Sequence, residues 1–206
     1  EIKRLYEDIK VRGYKRISQI PYNYEIKPIQ GGVANFLCYK ARQDQIISYI
    51  EINQFGLIYY KDNLGIIEEI EIEDENGNEV HKQIKITYLA WIIELIDLFL
   101  EYAVKFYERL GYWGLLEFKF SLDKLFGVLP LDIGKNSRLL DENDIKNASI
   151  DDKLKWWREY YVYEIRDKRP EILIELIKDI SWSLGFEYIT GEGFKNFLKE
   201  NKRLTI

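Results

Sequence analysis

The sequence predicts an α+β fold: an antiparallel β-meander packed on a long central helix, with further strands and a C-terminal helical segment. Three observations predict it. From residue 33 to the Asn76-Gly77 pair, β-branched and aromatic runs alternate with turn residues. Residues 88–110 then carry a helical period with one polar stripe. Over 115–122 the period returns to two, as in a half-buried strand. With 206 residues, 47% hydrophobic and 32% charged, the chain has the composition and length of one globular domain spanning 1–206.

Taken in order, Ile2, Leu5, Tyr6 and Ile9 form one helical face, and Gly13 stands where a helix ends. Glu1 is the first residue and the chain holds no Met, which predicts a fragment of a larger protein whose first helix starts upstream. Pro21 and Pro28 mark the rest of the 1–30 lead-in as irregular. Strands follow at 33–40, 46–53, 57–61 and 66–73, with turns at 42–45, 54–56 and 62–65. Asn76-Gly77 is the strongest hairpin signal.

Thr87 is the expected N-cap of the long helix and Gly111 its end. Its polar residues Glu94, Asp97, Glu101, Lys105 and Glu108 fall on one stripe. Leu116, Phe118, Phe120 and Leu122 share the inner face of the next strand. Residues 130–152 read as a polar loop, and 156–165 as a strand. Pro170 is expected at the first position of a helix over 171–184, closed by Gly185. Thr190 opens a last helix to about Lys202.

Composition excludes more than it selects. A net charge of -5 argues against a protein that coats nucleic acid by bulk charge. One cysteine, Cys38, excludes disulfides and cysteine zinc sites, and one histidine, His81, excludes histidine-rich metal sites. The sequence brings no nucleophile beside a base at Cys38 and His81. The glycines of 127–134 are spaced too far apart for a phosphate loop, and Asn136 stands where Ser or Thr would bind Mg²⁺. Acids crowd 68–79, but Ile72 and Gln83 occupy the end positions of a calcium loop aligned on Gly77. Asn147-Ala148-Ser149 spells a glycosylation sequon, with no signal peptide to support secretion. A cytoplasmic location follows. Lys and Glu enrichment fits a thermophile or an AT-rich genome.

Three sets of residues carry candidate function. Glu94, Asp97 and Glu101, three carboxylates on one helical face, could hold Mg²⁺ or Mn²⁺ for phosphodiester cleavage, with Lys119 stabilising charge. The plainer account is a solvated edge on a buried helix, with Glu101 and Lys105 paired at i, i+4. Lys3, Arg4, Lys10, Arg12, Lys15 and Arg16 give the first segment a local positive charge that could follow a phosphate backbone, with Tyr14, Tyr22 and Tyr24 nearby to stack bases. Residues 195–203 are likewise basic. Against this, charge runs on helices are commonly solvated faces. Trp113, Trp156, Trp157 and Tyr160 are the expected core of a contact surface.

Phe106-Tyr-Glu-Arg-Leu-Gly-Tyr-Trp-Gly-Leu-Leu-Glu-Phe118, Lys155-Trp156-Trp157-Arg158 and Ile180-Ser-Trp182-Ser-Leu-Gly185 together resemble the C-terminal region of prokaryotic proteins with an N-terminal Alba-like, Schlafen-type DNA-binding module. The resemblance covers residues 30–190 in element order and size. It implies an origin among transcriptional regulators. The family's nucleic-acid role belongs to the N-terminal module, outside this chain, so no catalytic residue is carried over.

The leading expectation is therefore a non-catalytic interaction or regulatory domain of a multidomain, nucleic-acid-associated protein, needing no cofactor. Its partner is another protein or another part of its own chain. The alternatives are a metal-dependent nuclease using the acidic stripe and nucleic-acid binding through the basic ends.

Overall fold

A computed structural model describes residues 3–4, 8–12, 19–20, 26–39, 42–73, 79–131, 152–184, 196 and 199. The chain is α+β and divides into two compact units. The first takes Glu1–Asn63, Glu94–Leu116 and Tyr160–Arg169, the second Leu64–Ile93, Glu117–Glu159 and Pro170–Ile206.

In the first unit, β1 (Val11–Arg12) pairs with β2 (Gln19–Ile20). A four-stranded antiparallel sheet follows, in the order β3 (Lys27–Ile29), β4 (Gly32–Tyr39), β5 (Arg42–Asn53), β6 (Ile58–Asp62). Two expectations are corrected here. Pro28 lies in β3 rather than in an irregular stretch, because an edge strand can lack one N–H donor. Arg42 to Gln45 belongs to β5, not to a turn, and the extra length is taken up by register shifts around Cys38. Gly32 lies tight against β5: a Cβ there would sit 2.2 Å from the Ile52 carbonyl oxygen. Val33, Ala34, Ile50 and Ile52 turn inward, burial worth roughly 1.5–3 kcal/mol for each large aliphatic side chain.

Helix α1 runs Leu89–Arg109, and its residues from 94 onward belong to the first unit. Ile96, Leu98, Leu100, Tyr102 and Phe106 are all buried on it, and the Phe99 ring lies 6.5 Å from that of Tyr60 on β6. Gly111, at φ +70°, ends the helix. Its N–H donates to the Glu108 carbonyl while Tyr112 N–H donates to that of Tyr107, which satisfies two terminal acceptors.

The second unit contains a mixed sheet, β10 (Val128–Leu131), β8 (Glu79–Tyr88), β7 (Gly65–Glu73). The expected meander thus breaks at Asn63, and β7 and β8 join a separate sheet. Thr87 is a residue of β8, not the helix cap. It is buried, and its hydroxyl donates to the Leu64 carbonyl, 3.1 Å away. Pro130 and Leu131 are not loop residues: they lie in β10, parallel to β8, where Ile84, Ile86, Leu129 and Leu131 form a core cluster.

A two-stranded ribbon, β9 (Leu115–Asp123) and β11 (Lys153–Tyr161), has the alternating burial expected over 115–122. The strand expected over 156–165 ends at Tyr161, where α2 (Val162–Ser183) begins. Pro170 lies inside α2, and Lys168 has the non-helical angles φ -124°, ψ 24°. The ring of a proline clashes with the carbonyl four residues back and donates no hydrogen bond, so the helix kinks there. The expected helix over 171–184 is its second half. Among the described residues, no helix is long and apolar enough to cross a membrane. The Asn76-Gly77 turn, Gly13, Gly185, Asn147, most of the 130–152 segment and most of the last helix lie outside the described residues.

Candidate interaction surface

The acidic stripe of α1 is neither a metal site nor a solvated edge. Glu94 is 0% and Asp97 1% exposed, so the upper stripe is buried. Arg169, at the kink of α2, brings Nε to 3.1 Å from Asp97 Oδ1 and Nη1 to 3.0 Å from Glu101 Oε2. Only lower down does the stripe reach water, where Lys105 Nζ lies 2.8 Å from Glu101 Oε1. Among the described residues, no three His, Cys, Asp or Glu are grouped to hold a metal ion. The cation on this face is a guanidinium, which corrects the Mg²⁺ or Mn²⁺ expectation for Glu94, Asp97 and Glu101. Lys119 belongs to the second unit and pairs at 2.8 Å with Glu117, which also accepts a hydrogen bond from Trp157 Nε1 at 2.7 Å. Those two donors, Lys119 foremost, hold the Glu117 carboxyl below its ordinary range.

The C-terminal end of α1 is different in kind. Tyr107 donates its hydroxyl to the Gly56 carbonyl, tying the β5–β6 turn to the helix. Burial, and then Tyr112, push the Tyr107 phenol up to about 12. Phe55, at the tip of that turn, is 85% exposed, and Leu57 beside it is also exposed. The Tyr112 ring centroid lies 5.7 Å from that of Tyr107, and its hydroxyl donates to the Leu115 carbonyl at 2.9 Å. Trp113 follows, 46% exposed, with the Arg166 guanidinium 5.4 Å over its ring. Val162 N–H donates to the Gly114 carbonyl at 3.2 Å, which brings in the start of α2. There Tyr161 and Tyr163, both exposed, stack with centroids 5.3 Å apart. Large rings are thus left in water at one end of a well-packed unit, a pattern that marks contact surfaces.

Beside this end lies an open groove of about 500 Å³, lined by Asp8, Ile9, Lys10, Lys105, Glu108 and Arg109. Glu108 also lies 3.6 Å from Arg166. Lys10, which the sequence assigns to a basic terminal segment, therefore faces two cations of α1 nearly a hundred residues away.

No family model, curated protein or solved structure matches this chain. Its own geometry is what can be weighed.

Of the aromatic set expected at a contact surface, Trp113 and Trp157 are exposed, whereas Trp156 and Tyr160 are half-buried. They do not form one cluster. Trp113 and Tyr160 belong to the first unit, Trp156 and Trp157 to the second. The last two point to opposite faces of β11, Trp156 packing 5.4 Å from the Phe120 ring. Lys3, Arg4, Lys10 and Arg12 are exposed, and Lys15 and Arg16 lie outside the described residues. Sequence reasoning missed Tyr112, Tyr161, Tyr163, Lys105 and Arg109 as members of one end. The density of aromatics around Gly111 was visible, but the hydrogen bonds that gather them are not local. It missed Arg169 as well, since nothing in the pattern pairs it with α1.

Proposed function

We propose that this chain is a non-catalytic interaction domain of a nucleic-acid-associated, cytoplasmic regulatory protein, which meets its partner through the aromatic end of its first unit. The observation that carries this reading is the exposure of Phe55, Tyr112, Trp113, Tyr161 and Tyr163 on a scaffold whose neighbouring apolar residues are buried. Aromatic side chains give large contact area at low entropic cost, which is why they concentrate at binding surfaces. The buried carboxylate Asp97, the strongest catalytic candidate on sequence grounds, is engaged by Arg169. That favours binding over acid–base chemistry. The resemblance of residues 106–118 and 155–158 to Schlafen-type regulators points the same way.

A photo-crosslinking amino acid placed at Trp113 tests the reading in cells, with the same group at Trp182 of the second unit, 73% exposed, as the reference. Crosslinks to a macromolecule at position 113 well above those at 182 are expected. Equal yields at both positions would overturn the assignment of the contact surface.

A further inference from the structure

Resting on that reading, we infer that the partner at this end is a single-stranded nucleic acid, its phosphates held by Lys10, Lys105 and Arg109 and its bases stacked on Tyr112 and Trp113. The groove and the rings are contiguous. Arg109 stands three residues before Tyr112, and Glu108, which lines the groove, also approaches the Arg166 that covers Trp113. Three cations face two acids there, and exposed Arg12, Arg4 and Lys3 extend the positive segment.

Charge is divided unevenly along the chain. The first unit holds 15 Lys+Arg and 13 Asp+Glu, leaving 15 and 22 of the total 30 and 35 to the second. The net acidity that argues against nucleic acid therefore belongs to the second unit. A positive groove beside exposed rings is the arrangement by which unpaired strands are bound without sequence preference. Bases in a duplex keep their faces stacked on one another, so rings on a surface select the single strand.

Anisotropy of a labelled oligonucleotide of roughly 12 nucleotides, titrated with the whole chain across a range of salt, tests the inference. Single strands are expected to bind more tightly than the matching duplex. Log Kd should change with log salt with a slope of magnitude about 2, for three neutralised phosphates. Lys10→Ala with Arg109→Ala should lower that slope by about 1. Trp113→Ala should weaken binding by roughly tenfold at unchanged slope. Trp182→Ala should change neither, and circular dichroism confirms that each variant folds. Tighter binding of the duplex, a slope insensitive to Lys10 and Arg109, or no binding at low salt would overturn it. If oligonucleotides fail to bind while Trp113 crosslinks to a protein, the contact surface stands and this inference alone falls.

Discussion

Asp97–Arg169 in the first unit and Glu117–Lys119 in the second are the same chemistry in opposite surroundings. The pair in the second unit is the closer, 2.8 Å against 3.1 Å. Both its members are at least half exposed, so water screens the attraction and either side chain can let go. Asp97 is out of water, so its charge depends on Arg169. Separation alone does not rank ion pairs; what remains around the carboxylate when the partner leaves does.

The sharpest way to break this contrast is Arg169→Ala. Removing one member of a buried pair strands the other, and a loss of about 3–5 kcal/mol is expected in urea unfolding. A loss no larger than that from Lys119→Ala would end the comparison. A middle case is Tyr107, partly buried, whose hydroxyl reaches the Gly56 carbonyl. Tyr107→Phe should cost about 1 kcal/mol. Its phenol is raised from 10.0 to about 12 in the folded chain, so the native state holds this proton more tightly than the unfolded one. The stability it contributes is present below pH 10 and is lost as pH rises towards 12. Tyr49 shifts the same way through burial and Glu51, so Tyr107→Phe should soften the alkaline decline without abolishing it. The smallest effect is expected from Lys119→Ala, with no resolvable change in the urea midpoint. A clear destabilisation there would show that the ribbon surface is less solvated than its exposure indicates.

How much was legible depended on how local each cause was. The strands over 33–39 and 115–122 follow from two-residue alternation, and the end of α1 from Gly111, all short-range signals. Pro28 and Pro130 misled because proline reads as irregular, yet both sit in edge strands, where a missing donor costs no ladder bond. β10 pairs with β8 in parallel, so its partner lies forty-odd residues away and no hairpin signal announces it. At the site, periodicity put Glu94, Asp97 and Glu101 on one face but could not say whether that face met water, a metal or an arginine. The answer came from Arg169, delivered by a kink that Pro170 makes. The groove was half-legible, as the basic first segment, and its other wall required the tertiary approach of Lys105 and Arg109.

The threading of the chain has a consequence for biosynthesis. Each unit is assembled from three separated stretches, and the first begins at Glu1 but is complete only with Tyr160–Arg169. When the first 63 residues leave the ribosome, the sheet they form still lacks the helix that belongs to its unit. At about 5–20 residues per second, several seconds pass before Arg169 can close over Asp97. Neither unit can be freed by one cut or by stopping translation early. A nascent chain halted before residue 160 would display its β4–β5–β6 sheet and the buried carboxylates of α1 without their arginine. Such intermediates are what holding chaperones recognise, and the protein has to commit nearly its whole length before its first unit is secure.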